Sequence, residues 1–250
     1  SGPHNWTADT LNRKFSHQKN LYSEKSYYYI TVGTGGKRIT PPSNSGIPSI
    51  TVNSYSSRYY YELDTFNFLS SGKQWYGDEF SNLPGKSLSR TYTVNINNLA
   101  AQPGTITISA AARSFGTGSR FAIKAGNQDL PSLDIPSVRN GAYDFFAQET
   151  QISSSFTPTS AAISLGLNYT PGSFDSQGWL NWFEVQARAD LSMKGLNQLQ
   201  FRDWNSIAGG ATGNFIIADA SSLYQVWDIS DPLQPARVQG NLSGTNWQFI

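Results

Sequence analysis

The 250-residue sequence contains no cysteine, one methionine and only two histidines. Without cysteine there is no disulfide framework, no thiol nucleophile and no thiolate metal ligand. The compartment stays open, because many exported bacterial proteins lack disulfides. His4 and His17 both fall in the first 17 residues. A Ser-His-Asp centre would have to recruit one of them, and a histidine metal site would need both plus carboxylates. The simpler expectation is a solvated N-terminal segment. Charge is also sparse: 14% of residues are Asp, Glu, Lys or Arg, against roughly 25% in an ordinary soluble domain. The 18 basic and 17 acidic residues leave a net charge of +1. No long-range field would steer nucleic acid or an anionic membrane to this chain. No apolar run approaches the roughly 18–20 residues of a membrane helix, so no membrane span is expected. No signal peptide is legible. Ser1-Gly2-Pro3 reads as a tag-cleavage scar, which would start the numbering inside a longer natural protein.

What is abundant is aromatic and hydroxylic: 13 Tyr, 14 Phe and 7 Trp in a background of Ser, Thr, Asn and Gln. Helical periodicity hardly occurs, whereas period-2 alternation recurs. Tyr92, Val94 and Ile96 alternate with polar residues, as do Ile106, Ile108 and Ala110. Ile163, Leu165, Leu167 and Tyr169 do the same, followed by Phe183, Val185, Ala187 and Ala189. Each stretch predicts a strand with one buried and one wet face. Weaker strands are expected over Tyr27–Val32, Ser49–Ser54, Arg58–Phe66, Arg120–Ala125, Asn214–Ala218, Leu223–Ile229 and Asn246–Phe249. Gly33-Thr34-Gly35-Gly36, Pro41-Pro42, Gln102-Pro103-Gly104, Pro171-Gly172 and Asp231-Pro232 supply turns between strands. The expectation is an all-β antiparallel sandwich of jelly-roll type with extra flanking strands. It forms one continuous module over 1–250, best patterned over about 87–191, with 1–86 and 192–250 packed against it.

Local chemistry is thin. Glu62 and Asp64 lie two apart on an expected strand, so they share a face at about 7 Å. That spacing suits a glycosidase pair, or simply a wet strand face opposite a Lys or Arg. Asp78-Glu79 reads as a turn, and Asp228 and Asp231 bracket a strand end where Asp231 suits an Asx-turn. These loop acids leave room for a structural calcium ion, but EF-hand spacing is missing and no cofactor is expected. Gly33–Arg38 lacks the Gly-Lys-Ser/Thr ending of a phosphate loop. Trp75, Tyr76, Trp179, Trp182 and Trp227 are candidate interface anchors, because Trp and Tyr concentrate binding energy. They serve equally as core fillers. Aromatic clusters of this kind also suit a sugar-binding face, so a stand-alone carbohydrate-binding or adhesion module is the alternative reading.

Three passages carry a resemblance. The first runs from Tyr60-Tyr61-Glu62 through Asn67-Phe68-Leu69-Ser70-Ser71-Gly72-Lys73-Gln74-Trp75-Tyr76-Gly77-Asp78-Glu79-Phe80. The second is Asn168-Tyr169 followed by Gly178-Trp179-Leu180-Asn181-Trp182-Phe183-Glu184. The third is Tyr224-Gln225-Val226-Trp227-Asp228-Ile229-Ser230-Asp231-Pro232, with His17–Asn20 and Tyr28–Gly33 ahead of all three. In this order they resemble the region preceding the peptidase domain of the gingipain-like surface sortases of the Bacteroidetes type IX secretion system. The resemblance covers nearly the whole chain. It implies an extracellular place at the outer-membrane surface of a Gram-negative bacterium. It also implies a parent cysteine endopeptidase that removes the C-terminal signal of cargo and helps attach cargo to surface lipopolysaccharide. The implied partners are the chain's own C-terminal peptidase domain, outer-membrane secretion components and cargo C-terminal domains. The family's Cys–His chemistry has no counterpart here, since the chain has no Cys and no His beyond His17. No catalytic residue is therefore assigned, and the chain itself is expected not to be an enzyme.

Overall fold

The computed structural model describes residues 4–20, 22–27, 29–36, 39, 46–70, 74–206, 209–222 and 225–250. In chain order the strands are β1 (His4–Asp9), β2 (Lys14–Lys19), β3 (Ile50–Val52), β4 (Ser54–Glu62), β5 (Glu79–Phe80) and β6 (Ser89–Asn95). Next come β7 (Gly104–Arg113), β8 (Ser119–Ala125), β9 (Gln128–Ile135), β10 (Gln148–Phe156), β11 (Ala162–Thr170) and β12 (Gln177–Asp190). The last five are β13 (Gly213–Ile217), β14 (Val226–Asp228), β15 (Ala236–Val238), β16 (Gly240–Ser243) and β17 (Asn246–Phe249).

Two antiparallel sheets face each other. One has the order β10-β7-β12-β4, with β5 also paired to β12; the other is β6-β11-β8-β9. Take β4 and β6 to β12 as eight successive strands. The first, eighth, third and sixth then form one sheet, and the second, seventh, fourth and fifth form the other. That interleaving is the two-Greek-key order of a jelly roll. The expected all-β sandwich is therefore what forms. Alternation explains the interior: Ile163, Leu165, Leu167 and Tyr169 of β11 are buried against Ile106, Ile108, Phe183 and Val185 of the opposite sheet. Gly178 lets the ends of the sheets close, because a Cβ there would sit 2.8 Å from both Phe121 Cζ and Tyr169 Cε2.

Flanking strands add to this sandwich. A second small sheet, β16-β17-β13-β3, contains the parallel pair β13/β3. Its Ile217 joins the main core, while Phe215 stacks on Phe249 at 5.0 Å. The pair β14/β15 contributes Val226 to the same core.

Several expectations change. Among the described residues of Tyr27–Val32 there is no strand, and Tyr27, Tyr29, Ile30 and Val32 stand exposed. β-propensity there finds no partner strand, and propensity alone does not hold an extended chain. Gly35 has φ +83° and bends the chain, but among the described residues around it there is no strand to make a hairpin. Tyr28, Lys37, Arg38, Pro41, Pro42, Ser71–Lys73, Leu223 and Tyr224 lie outside the described residues. Glu79 is no turn residue. It sits buried in β5, held by Lys86 Nζ (3.0 Å), Gln177 Nε2 (3.0 Å) and Ser81 Oγ (2.9 Å). Burial raises its pKa, yet these donors outweigh that and keep it below the usual carboxylate range. Asp231 does cap its own turn, its Oδ1 accepting from Leu233 N at 2.9 Å.

Candidate functional site

The N-terminal residues form an antiparallel hairpin, β1 with β2, rather than a loose segment. It lies across the outer face of β12 and β4. Period 2 decides what it presents: Phe15, His17 and Lys19 point inward, while Lys14, Ser16 and Gln18 point to solvent. β12 answers with the outward row Trp182, Glu184, Gln186 and Arg188.

Contact is made through side chains on one partner and backbone on the other. Phe15 N donates to Gln186 Oε1 (2.9 Å), and Gln186 Nε2 donates back to Phe15 O (2.8 Å). His17 N donates to Glu184 Oε1 at 2.8 Å. The buried Phe15 ring lies 4.7 Å from the Trp204 ring, with the Arg58 guanidinium 4.4 Å from its centroid. The His17 ring centroid lies 3.4 Å from that of Tyr60, the planes tilted by 30°, and Tyr60 in turn stacks on Trp182. Lys19 Nζ pairs with Asp64 Oδ2 at 2.5 Å. Beside the hairpin an open groove of about 630 Å³ continues over Thr105, Thr107, Gln151 and Ser153.

Glu62 and Asp64 are thus committed to other work. Glu62 Oε2 accepts from Tyr60 OH at 2.5 Å, and Asp64 holds Lys19. Burial pushes the carboxyls of Glu62 and Glu184 up, and pushes the Tyr60 phenol well above its ordinary value. Among the described residues no group of three or more His, Cys, Asp or Glu could hold a metal ion.

His17 titrates on this face alongside Glu62 and Glu184. Burial, then the charges of His4 and Lys19, lower its pKa from 6.5 to about 4. His4 Nδ1 and His17 Nε2 share one hydrogen bond of 2.9 Å, which requires at least one neutral ring as acceptor. A histidine whose docked pKa lies below its free value favours docking above the free pKa. That contribution is lost as pH falls from 6.5 towards 4. Glu62 and Glu184, with raised values, act in the opposite sense. Amide exchange over residues 4–19, corrected for intrinsic rates, is expected to accelerate between pH 6.5 and 4. His17→Gln should remove that acid-triggered component. Equal acceleration in both proteins would show that His17 is not the trigger.

The sequence-selected aromatics separate. Tyr76 and Trp179 are buried with Ala111 beneath Phe68 and Phe146. Tyr76 OH and Asn181 Nδ2 both donate to Glu149, at 3.0 and 2.7 Å, and Ser109 Oγ joins them at 2.5 Å. Trp75 is half-buried. Trp182 is half-buried and lines the groove. Trp227 is 51% exposed on the β14/β15 hairpin, with Nε1 donating to Gln225 Oε1 at 2.7 Å. Sequence reading missed Phe15, Arg58, Glu184, Gln186 and Trp204. For Arg58, Glu184 and Gln186 the one available signal was the outward register of β4 and β12; Phe15, on β2, and Trp204, outside every strand, had none.

No protein-family model and no curated protein matches the chain. Among the described residues no helix is long and apolar enough to cross a membrane. A Cry8Ea1 insecticidal delta-endotoxin from Bacillus thuringiensis matches at TM-score 0.31 and 15% identity, over 39% of this chain and 18% of that one. The C-terminal CBM6 of the laminarinase LamC from Zobellia galactanivorans matches at TM-score 0.29 and 16% identity, over 53% of this chain and 98% of that one. Likenesses this slight bear on nothing further. Dimeric latent PorU from Porphyromonas gingivalis matches at TM-score 0.79 and 18% identity, over 99% of this chain and 24% of that one. The chain spans about a quarter of the length of that solved structure, and over nearly all of its own length it has the fold of that region of PorU.

Proposed function

We propose that this chain is a non-catalytic accessory module of a larger secreted surface peptidase of the PorU kind. The observation that carries the reading is the whole-length fold match, at TM-score 0.79. The ordered aromatic motifs agree with it. With no cysteine in the chain, a Cys–His centre has to lie elsewhere in such a protein. The module's work is then mechanical: a rigid jelly roll that packs on the peptidase domain or on outer-membrane secretion components and helps position the tail of a cargo protein. The parent would stand at the outer-membrane surface, remove the C-terminal signal of cargo and help attach cargo to lipopolysaccharide.

Within this reading Trp182 and Trp227 are the interface anchors with open ring surface, and Trp75 is a third. Tyr76 and Trp179 lie beneath Phe68 and Phe146, so their part in an interface would be to hold those two rings in place. Anchors of this type cost 2 kcal/mol or more on truncation, about 30-fold in affinity. Titrating the module against the peptidase part of its parent should show that loss for Trp182→Ala or Trp227→Ala, with the melting temperature little changed. A fall in melting temperature with docking unaltered would sink the interface assignment. A tryptophan fluorescence shift on adding oligosaccharide, with no docking, would favour the sugar-binding alternative.

A further inference from the structure

The β1/β2 hairpin meets the sandwich without a single strand-to-strand ladder. β12 already pairs with β7 on one side and with β4 and β5 on the other, so β2 lies on its face, not its edge. In place of a neighbouring strand, side chains of β12 serve the free edge of β2. The Gln186 amide offers one acceptor and one donor to a single residue, and Glu184 offers an acceptor to the N–H two residues on. Residues i and i+2 of a strand present their backbone groups on the same edge. Gln186 and Glu184 are therefore set at the repeat of an extended backbone, whatever its sequence.

Three seats beneath them read side chains. An aromatic ring at i enters between Arg58 and Trp204. A flat ring at i+2 lies against Tyr60. A cation at i+4 meets Asp64. Glu62 and Glu184 add negative charge beside them, complementary to Lys14 and Lys19 of the resident strand. A lone two-stranded hairpin is marginal in water, so the resident strand depends on these seats rather than on its own fold.

We propose that the outer face of β12 and β4 is a receptor for an extended polypeptide segment of the pattern aromatic, any residue, flat ring, any residue, cation. Phe15–Lys19 of this chain is its resident occupant, and a segment of another protein with the same pattern takes the seat when the resident leaves. The resident is tied to the sandwich through residues 20–49 and so competes intramolecularly, at an effective concentration of roughly millimolar order; an incoming segment gains access only where the strap is weakened. The inference stands on this face alone and holds whether or not the parent is a peptidase.

The test uses the full chain, unaltered and as the double variant Phe15→Ala/His17→Ala, with a fluorescein-labelled peptide of residues His4–Asn20 as probe. Fluorescence anisotropy should show binding to the double variant at least tenfold tighter than to the unaltered chain. A probe carrying the Phe15→Ala change should not bind, and adding Gln186→Ala to the double variant should abolish the gain. Unchanged melting temperatures of the sandwich would verify that the variants fold. Equal binding to both chains, no binding up to about 1 mM, or a gain that survives loss of Gln186 would each overturn the proposal.

Discussion

Replacing Phe183 by alanine is expected to remove about 3–5 kcal/mol of stability. The ring is fully buried at the centre of β12. It stacks on Tyr61 at 5.1 Å and on Tyr59 at 6.1 Å, and meets Tyr92 edge-on at 5.3 Å. Tyr59 and Tyr61 come from the same sheet and Tyr92 from the opposite one, so truncation opens a cavity that neither sheet fills alone. The tyrosines cannot simply slide in. Tyr61 OH and Tyr92 OH both donate to Asp78 Oδ2, at 2.8 and 2.9 Å, and Arg90 Nη1 holds the other oxygen at 3.2 Å. Domains of this kind have only about 5–15 kcal/mol in total. Denaturant melts should therefore show a midpoint shift that halves the margin. A loss under about 1 kcal/mol would mean that the two sheets are not packed through this ring.

Arg188→Met is expected to cost about as much by a different route. Arg188 Nη1 reaches Asp203 Oδ1 (2.5 Å) and Ser56 Oγ (2.9 Å), and Nη2 reaches Ser54 Oγ (2.6 Å). The Asp203 side chain is only 2% exposed. Removing the guanidinium leaves that carboxylate buried and unpaired, which typically costs about 3–5 kcal/mol. Replacing both partners by apolar residues takes the charge away as well. Arg188→Met/Asp203→Leu should accordingly be more stable than Arg188→Met alone. If the double variant is the worse of the two, the pair's worth lies in its geometry rather than in avoided desolvation.

The sandwich was legible wherever the buried face is apolar at every second position, as in β6, β7, β11 and the second half of β12. A register shift between Leu180 and Trp182 breaks the pattern of β12, so Trp182 and Trp179 both end up on the outer face. Strand β10 hides its inward side behind Thr150 and Ser154, leaving only Ile152 and Phe156 as apolar signals. Strand β9 carries Pro131, which a single outer pairing with β8 tolerates. The docked hairpin was the least legible part. Its hold depends on Gln186 and Glu184, which lie 171 and 167 residues along the chain from the backbone groups they bind. No local spacing encodes such a contact. Conversely, Tyr27–Val32 has every local mark of a strand and no partner among the described residues. The aromatic pairs Trp75-Tyr76 and Trp179/Trp182 announced that aromatics mattered, but burial depends on Phe68 and Phe146 folding over one member of each pair.

The reading of the chain as one module of a larger surface peptidase is tested most directly by sequencing the source gene past the codon for Ile250. The account predicts several hundred further residues holding a histidine and a cysteine in a domain of alternating strands and helices. A stop codon, or a continuation into further β modules alone, would contradict it and leave a surface binding protein in its place.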